Sequence, residues 1–347
     1  MRVIITDGFG GPEVLKLADA PRPVPGSGEV LVRVVAAGVN RPDVQQRRGL
    51  YPPPPEASPI LGLDVAGVVE TVGPDVEGLE PGDAVCALVN GGGYAEFSVV
   101  PAGQCMPIPR GLSFIEAASL PEVFCTAWSN IVWLAQLQPA EALLVQGGSS
   151  GVGLAAIQIA RQLFAATVFA TAGDEEKRSV CLDAGTAAAL DYRGDWAAEV
   201  RSLTRGEGVD VVLDGQAGPS TQTHLDLLKR GGRLVFIASH QGEIAEVNIR
   251  QLVRRHLIVA GSTLRPRSTA YKSRLARDLV GRVWPLLEDG RIRTRIHAAL
   301  PFAAVREAHE ILDANLQIGK VVLLVDEELG ASLPAPRQVL DQLCGIG

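Results

Sequence analysis

The residues best suited to chemistry run from Leu143 to Gly153: Leu143-Leu144-Val145-Gln146-Gly147-Gly148-Ser149-Ser150-Gly151-Val152-Gly153. An apolar strand passes into a glycine turn, and the turn into an apolar helical segment. That order gathers backbone N–H groups and the positive end of a helix at one point, an anion site suited to a pyrophosphate. On the dinucleotide-binding fingerprint, Gly148 and Gly153 fit the first and third glycines, while Ser150 stands in the middle position. The second strand then ends at Phe169-Ala170-Thr171-Ala172-Gly173 without an acid to accept ribose hydroxyls, which leaves room for a 2′-phosphate. Lys177 follows a few residues on and Tyr192 comes after the third strand, whereas Asp174 opposes a phosphate if its carboxylate points inward. The plainer alternatives are a glycine turn without a ligand and a solvated Lys177 on a helix surface.

All five histidines, His224, His240, His256, His297 and His309, lie after residue 223. The cysteines, Cys86, Cys105, Cys125, Cys181 and Cys344, show no metal-ligand spacing. A zinc site in the N-terminal part would need scattered Asp, Glu and Cys alone, so zinc-activated chemistry is disfavoured. No Ser-His-Asp or Cys-His arrangement stands out, and the demanding chemistry falls to a bound cofactor.

The elements that must position these groups belong to a chain of 347 residues, long enough for two domains. With 47% hydrophobic and 20% charged residues the composition is globular. A net charge of −7 without a basic block argues against nucleic acid as a partner. An odd number of scattered cysteines suggests reduced, intracellular thiols. No window approaches the roughly 20 uninterrupted apolar residues of a membrane span, and no targeting segment is evident at the N-terminus. A soluble, cytoplasmic protein is expected.

Residues 1–122 are rich in glycine, proline and short β-like runs such as Val30 to Val35, Val65 to Val72 and Ala84 to Val89, with turns at Gly73-Pro74-Asp75 and Pro81-Gly82-Asp83. Over 123–262 strands and helices alternate, which implies a parallel, doubly wound sheet. Expected here are a helix through Trp128 and Trp133, helices over Leu154–Ala165, Glu175–Ala184 and Thr223–Arg230, and strands over Ala166–Thr171, Val209–Asp214 and Arg233–Ala238. Residues 263–326 read as the chain returning to complete the first domain, with helices over Lys272–Glu288 and Ala304–Leu312 and strands over Ile296–Leu300 and Lys320–Val325. Residues 327–347 read as a tail with room for one short helix.

Taken together, Gly10-Gly11-Pro12-Glu13, Asn40-Arg41-Pro42-Asp43, Gln46-Arg47-Arg48-Gly49, Leu61 to Gly67, Pro81-Gly82-Asp83, Ser150 to Gly153, Gly261 to Arg265 and Ile318-Gly319-Lys320 resemble the zinc-free quinone oxidoreductases of the medium-chain dehydrogenase/reductase superfamily. Within that family they are similar to the branch of zeta-crystallin and the p53-inducible quinone reductase. The resemblance spans residues 1 to about 326. It implies an α/β fold, a GroES-like β-rich catalytic domain plus a Rossmann domain, with NADPH in the cleft between them and a homodimer paired through the Rossmann edge strand near Leu257 to Ala260. It also implies that Lys177 and Tyr192 hold the 2′-phosphate, and that Gly148, Ser150, Gly151, Val152 and Gly153 surround the pyrophosphate. Asn40 and Thr126 would lie near the nicotinamide, Ala238, Ser239 and Leu264 would border it, and Lys320 would reach the phosphates. Relatives often carry Ser where this chain has Asp174, so NADH remains open as the cofactor. Zinc-dependent relatives place a Cys near Asn40 and a His-Glu pair near Leu63-Asp64; this chain does not.

The expected activity is hydride transfer from NADPH to a quinone or related conjugated carbonyl. Asn40 would donate a hydrogen bond to the carboxamide or to the substrate oxygen, and Tyr51 would stack on a flat substrate or protonate it. Asp43 is expected to cap a helix beginning at Val44, and Asp64 to sit in a buried hydrogen-bond network. Two alternatives stand: a 2-alkenal or enoyl reductase of the same fold, and a nucleotide-binding or redox-sensing protein without turnover.

Overall fold

The computed structural model describes residues 1–334. Its strands, in chain order, are β1 (Arg2–Thr6), β2 (Leu15–Asp19), β3 (Glu29–Val39), β4 (Asp64–Val72), β5 (Ala84–Leu88), β6 (Phe97–Pro101), β7 (Cys105–Pro107), β8 (Ala142–Gln146), β9 (Thr167–Ala172), β10 (Ala188–Asp191), β11 (Val209–Asp214), β12 (Leu228–Phe236), β13 (Ile258–Gly261), β14 (Ile296–Pro301) and β15 (Lys320–Leu324). The chain divides into two compact units, Met1–Glu122 with Arg265–Gly347, and Val123–Leu264.

The first unit is built on a mostly antiparallel sheet in the order β14-β15-β3-β4-β5-β7, with β6 paired to β3 and a separate β1-β2 hairpin. The long central β3 is almost wholly buried because its valines and alanines face packed layers on both sides. Val32, Val34, Val65, Val69, Val85 and Tyr94 form the heart of this core, and Val321 and Leu323 of the returning β15 complete it. The register Val321↔Val39 through Leu324↔Ala36 places Lys320, at the start of β15, beside the end of β3.

In the second unit six parallel strands run in the order β10-β9-β8-β11-β12-β13. The order reverses between β8 and β11, and in such sheets ligands bind at the carboxyl ends of the strands beside that switch point. Leu143, Leu144, Val211 and Val212 are all fully buried, as expected of central parallel strands covered on both faces. The apolar run at β13 lies at an edge of this sheet, paired among the described residues with β12 alone.

Several elements differ from the sequence reading. The helix expected through Trp128 and Trp133 is α-helical over Pro121–Ala127 and π-helical over Trp128–Leu134. The helix expected over Lys272–Glu288 begins at Thr269, ends at Arg282, and is followed by a separate turn, Trp284–Glu288, whose second residue is Pro285. Proline cannot donate to the preceding turn and clashes with it, so the apolar pattern continues where the hydrogen bonding does not. The helix expected to Arg230 ends at Leu227, and Leu228 already pairs with Val209 across the sheet. Beyond residue 334 the expected tail lies outside the described residues; before that, Gly330 turns back on Asp326 and accepts from Ile115 N.

Candidate active site

β8 delivers the chain into the glycine turn, and the helix Gly151–Phe164 leaves it. Gly147 has a φ of +79°, a conformation that a side chain resists. A Cβ on Gly148 would sit 2.6 Å from Ala170 Cβ and 2.9 Å from Cys181 Sγ; one on Gly153 would lie 2.5 Å from Gly147 O and 2.6 Å from Gly148 O. Both glycines are therefore required by close approach. Ser150 is the helix N-cap: its hydroxyl accepts from Gly153 N at 3.0 Å and donates to Gly147 O at 2.8 Å. A serine at the middle position thus closes the loop that a glycine leaves open in the fingerprint. Gly151 and Val152 form the first residues of the helix, where N–H groups have no partner within the helix.

At the end of β9, Asp174 caps the helix Glu175–Asp183, its Oδ1 accepting from Lys177 N at 2.8 Å, and its Oδ2 lies 3.6 Å from Lys177 Nζ. Its carboxylate is thereby drawn to the helix start and to Lys177. Tyr192, half exposed, packs its ring against Gly173, where a Cβ would meet it at 3.0 Å. Two cations that the sequence reading missed join them. Arg178 Nη1 donates to Gly173 O at 3.2 Å, and Arg193 Nη2 donates to the same carbonyl. Asp191 bridges both arginines, at 3.3 Å from Arg178 and 2.9 Å from Arg193. Each arginine directly follows a residue already singled out, Lys177 or Tyr192, and adjacency was the available signal. Elsewhere in this unit Thr126 O accepts from Asn130 Nδ2 at 2.8 Å, Ala238 and Ser239 lie in the loop after β12, and Leu264 is buried.

The first unit carries its own polar cluster. Asn40 is the N-cap of the helix Arg41–Arg47, and Asp43 is its third residue, accepting from Asn40 N at 2.8 Å. Asp43 therefore does not cap a helix beginning at Val44; the helix starts three residues earlier. Asn40 Nδ2 donates to Asp64 Oδ2 at 2.8 Å, and its Oδ1 accepts from Lys320 Nζ at 2.5 Å. Lys320 also donates to Asp64 Oδ2 at 2.8 Å, and Glu122 N donates to Asp64 Oδ1 at 2.6 Å. Asp64 is thus held by three donors in a fully buried network. Asn40, expected to reach nicotinamide or substrate, and Lys320, expected at the phosphates, have their described bonds inside this cluster.

Tyr51 is half buried, with the Arg265 guanidinium 5.7 Å from its ring centroid. Arg265 is fixed by Asn90 O at 2.8 Å and Gln46 Oε1 at 2.7 Å. Burial, and then the negative charge of Glu122, raise the Tyr51 pKa, so the phenol keeps its proton at neutral pH. Burial and then Asp64 push Glu122 up to about 7.

A divalent cation does not fit where zinc-dependent relatives hold theirs. Of the carboxylates there, Asp64 faces the Lys320 ammonium at 2.8 Å and Asp43 already accepts from Asn40 N at 2.8 Å and Gly62 N at 3.0 Å, while Asn40 supplies a carboxamide bonded on both sides. Among the described residues no group of three or more His, Cys, Asp and Glu could hold a metal ion. The glycine loop does fit a dinucleotide, through its bare backbone and the helix start behind it.

A parallel sheet with a glycine loop at its switch point, joined in one chain to a β-rich unit, defines an NAD(P)H-dependent oxidoreductase of the medium-chain dehydrogenase/reductase class. The comparisons with known proteins narrow this. Residues 26–110 match the alcohol dehydrogenase GroES-like domain, and residues 151–277 match a family described as zinc-binding dehydrogenase. Quinone oxidoreductase of Lama guanicoe is 35% identical over 329 residues, covering 94% of this chain and 98% of the relative. The Homo sapiens quinone oxidoreductase is 32% identical with the same coverage. The Escherichia coli quinone oxidoreductase, solved with NADPH, superposes with a TM-score of 0.83 at 28% identity, covering 93% of this chain and 100% of that one. The chain belongs to the quinone oxidoreductase family.

Proposed function

We propose that this protein is a zinc-independent, NADPH-dependent quinone reductase. The observation that carries the reading is the loop Gly147–Gly153, closed by Ser150, with Lys177, Arg178, Arg193 and Tyr192 gathered at the end of the next strand. That gathering supplies positive charge where a 2′-phosphate would lie, and Asp174 is occupied as a helix cap. Solved relatives bound to NADPH support the same cofactor. When bound, NADPH supplies the hydride that reduces the acceptor. Tyr51 donates a hydrogen bond, and then its proton, from the phenolic oxygen to the reduced oxygen of a quinone or conjugated carbonyl. Asn40 and Lys320 act at one remove, fixing the Asp64 network and with it the end of β3. The protein works as a homodimer in the cytoplasm, paired through β13.

An apo JamJ enoyl reductase also superposes, with a TM-score of 0.82 at 26% identity, so a conjugated C=C bond is the second acceptor class to test. The experiment is steady-state oxidation of NADPH and of NADH with 9,10-phenanthrenequinone, then with a 2-alkenal and an enoyl thioester. The expected result is turnover with the quinone and preference for NADPH. Lys177→Ala and Arg193→Ala should each raise KM for NADPH by roughly tenfold with little change for NADH, as expected from loss of a charge-assisted hydrogen bond. Oxidation only with the alkenal or thioester would move the assignment to enoyl reduction, and binding without oxidation would make the protein a non-catalytic nucleotide binder.

A further inference from the structure

Beneath the glycine loop, four side chains join the carboxyl ends of β9, β8 and β11 to the helix Thr221–Leu227 in one file. Gly147 N donates to Thr171 Oγ1 at 3.2 Å, and the Thr171 hydroxyl donates to Gln146 Oε1. Gln146 Nε2 meets His224 Nε2 at 2.5 Å. On its other side His224 Nδ1 lies 3.1 Å from Asp214 Oδ2, and both side chains are fully buried. The last contact is off the line of a good hydrogen bond, so it acts chiefly through charge. Asp214 is itself held by Gln216 N at 2.6 Å and Ala217 N at 3.1 Å. The uncharged Trp196 ring lies 5.3 Å from the His224 ring.

The chemistry of each group fixes the direction of the file. A carboxylate facing Nδ1 favours the proton there, which leaves Nε2 as an acceptor. Nε2 then takes an N–H from Gln146, so the Gln146 oxygen must face Thr171. The Thr171 proton goes to that oxygen, and the Thr171 oxygen is left to accept from Gly147. The three hydrogen bonds from Gly147 through Thr171 and Gln146 to His224 all run in one direction, and bonds aligned in this way reinforce one another. Gly147 is anchored at both of its backbone groups, because its carbonyl accepts from Ser150 N at 3.1 Å and from Ser150 Oγ at 2.8 Å. Burying Thr171, His224 and Asp214 wholly and Gln146 in part brings little net stability over an apolar set. What it does bring is a single orientation for the Gly147 N–H at the residue on which the loop turns.

We propose that His224 is a positioning residue for dinucleotide binding, holding the Gly147 peptide through Gln146 and Thr171. The inference rests on the reading of the loop as an NADPH site, and two measurements separate their fates. The first is NADPH affinity of the whole protein, by fluorescence titration, with kcat and both KM values for the quinone assay. His224→Leu fills the space without accepting a hydrogen bond. It should raise Kd and KM for NADPH by about tenfold while kcat and the quinone KM stay within about twofold. His224→Gln, whose Oε1 can accept from Gln146, should recover most of the affinity. Gln146→Leu should lose as much as His224→Leu, and the double variant no more than either single.

The second measurement is hydrogen exchange of the segment 143–153 without nucleotide, which should quicken in His224→Leu and return toward wild type in His224→Gln. Should His224→Leu fail to fold, Thr171→Val interrupts the same file and decides the matter by the same readouts. Unchanged affinity together with unchanged exchange in a folded variant overturns the proposal, as do additive losses in the double variant. If the wild type binds neither NADPH nor NADH, the parent reading fails, and the exchange data alone then decide whether His224 positions the loop.

Discussion

His309 shows how one side chain can set a pH limit on a fold. It is fully buried, its Nδ1 lies 3.3 Å from Arg47 Nη1, and its Nε2 lies 3.3 Å from Tyr94 OH. The arginine can only donate, so Nδ1 accepts, and the neutral ring carries its proton on Nε2 toward Tyr94. Burial first, and then the Arg47 charge, hold the His309 pKa down to about 3. Between that value and the ordinary 6.5 the unfolded chain binds a proton that the folded chain refuses, so stability falls as pH falls through this window. Asp43, raised by burial to about 6, works the other way below that pH, because the folded state then binds the extra proton. The two effects are separated by comparing wild type with His309→Gln, which can still accept from Arg47. Urea unfolding at pH 7 and at pH 5 should show the difference in stability moving by about 2 kcal/mol against the wild type, at roughly 1.4 kcal/mol per pH unit below 6.5. Parallel profiles for the two proteins would remove His309 from the account.

At the scale of elements, the glycine loop was legible in the sequence because all its determinants lie within eleven consecutive residues. A strand, a turn with no room for Cβ atoms and a helix start follow one another, and no distant partner is needed to recognise them. Ser150 at the middle position was readable as a departure from the fingerprint; the structure shows it as the cap that compensates. Ser150→Ala should therefore cost about 1 kcal/mol of stability. Gly153→Ala should do more harm to NADPH affinity than to folding, because its Cβ would push on the carbonyls of Gly147 and Gly148 at 2.5 and 2.6 Å. Denaturation and nucleotide titration on both variants check the contrast; equal NADPH affinity in Gly153→Ala and wild type would show that the close approach is dispensable. The Asp64 cluster was not legible to the same degree. Lys320 and Asp64 are 256 positions apart, and the pairing of β3 with both β15 and β4 brings them together. Apolar periodicity likewise ran straight across Val283, whereas Pro285 breaks the hydrogen bonding there. Pattern records which face is buried; it does not record which carbonyl is satisfied.

At the scale of the whole molecule, the exposed edge of the parallel sheet asks for a partner. β13 pairs with β12 on one side, through Leu234↔Val259 and Val235↔Ala260, and among the described residues has no strand on the other. Ile258 and Val259 are 56% and 45% exposed, an apolar pair on an edge strand. Such an edge is a template for another strand unless charge or a bulge protects it. The opposite edge, β10, ends on Asp191, which the arginines Arg178 and Arg193 already occupy. Two copies joined β13 to β13 about a two-fold axis would extend the sheet without leaving either apolar edge in water, and this closed arrangement limits growth to a dimer. Light scattering behind a sizing column should give twice the 36.6 kDa chain mass at micromolar concentration. Val259→Lys places a charge in the middle of the contact and should shift the population to monomer, with the folded-state spectrum retained. A wild type that runs as a monomer, or a Val259→Lys variant that stays dimeric, would show that the edge is left open and that any pairing uses another face.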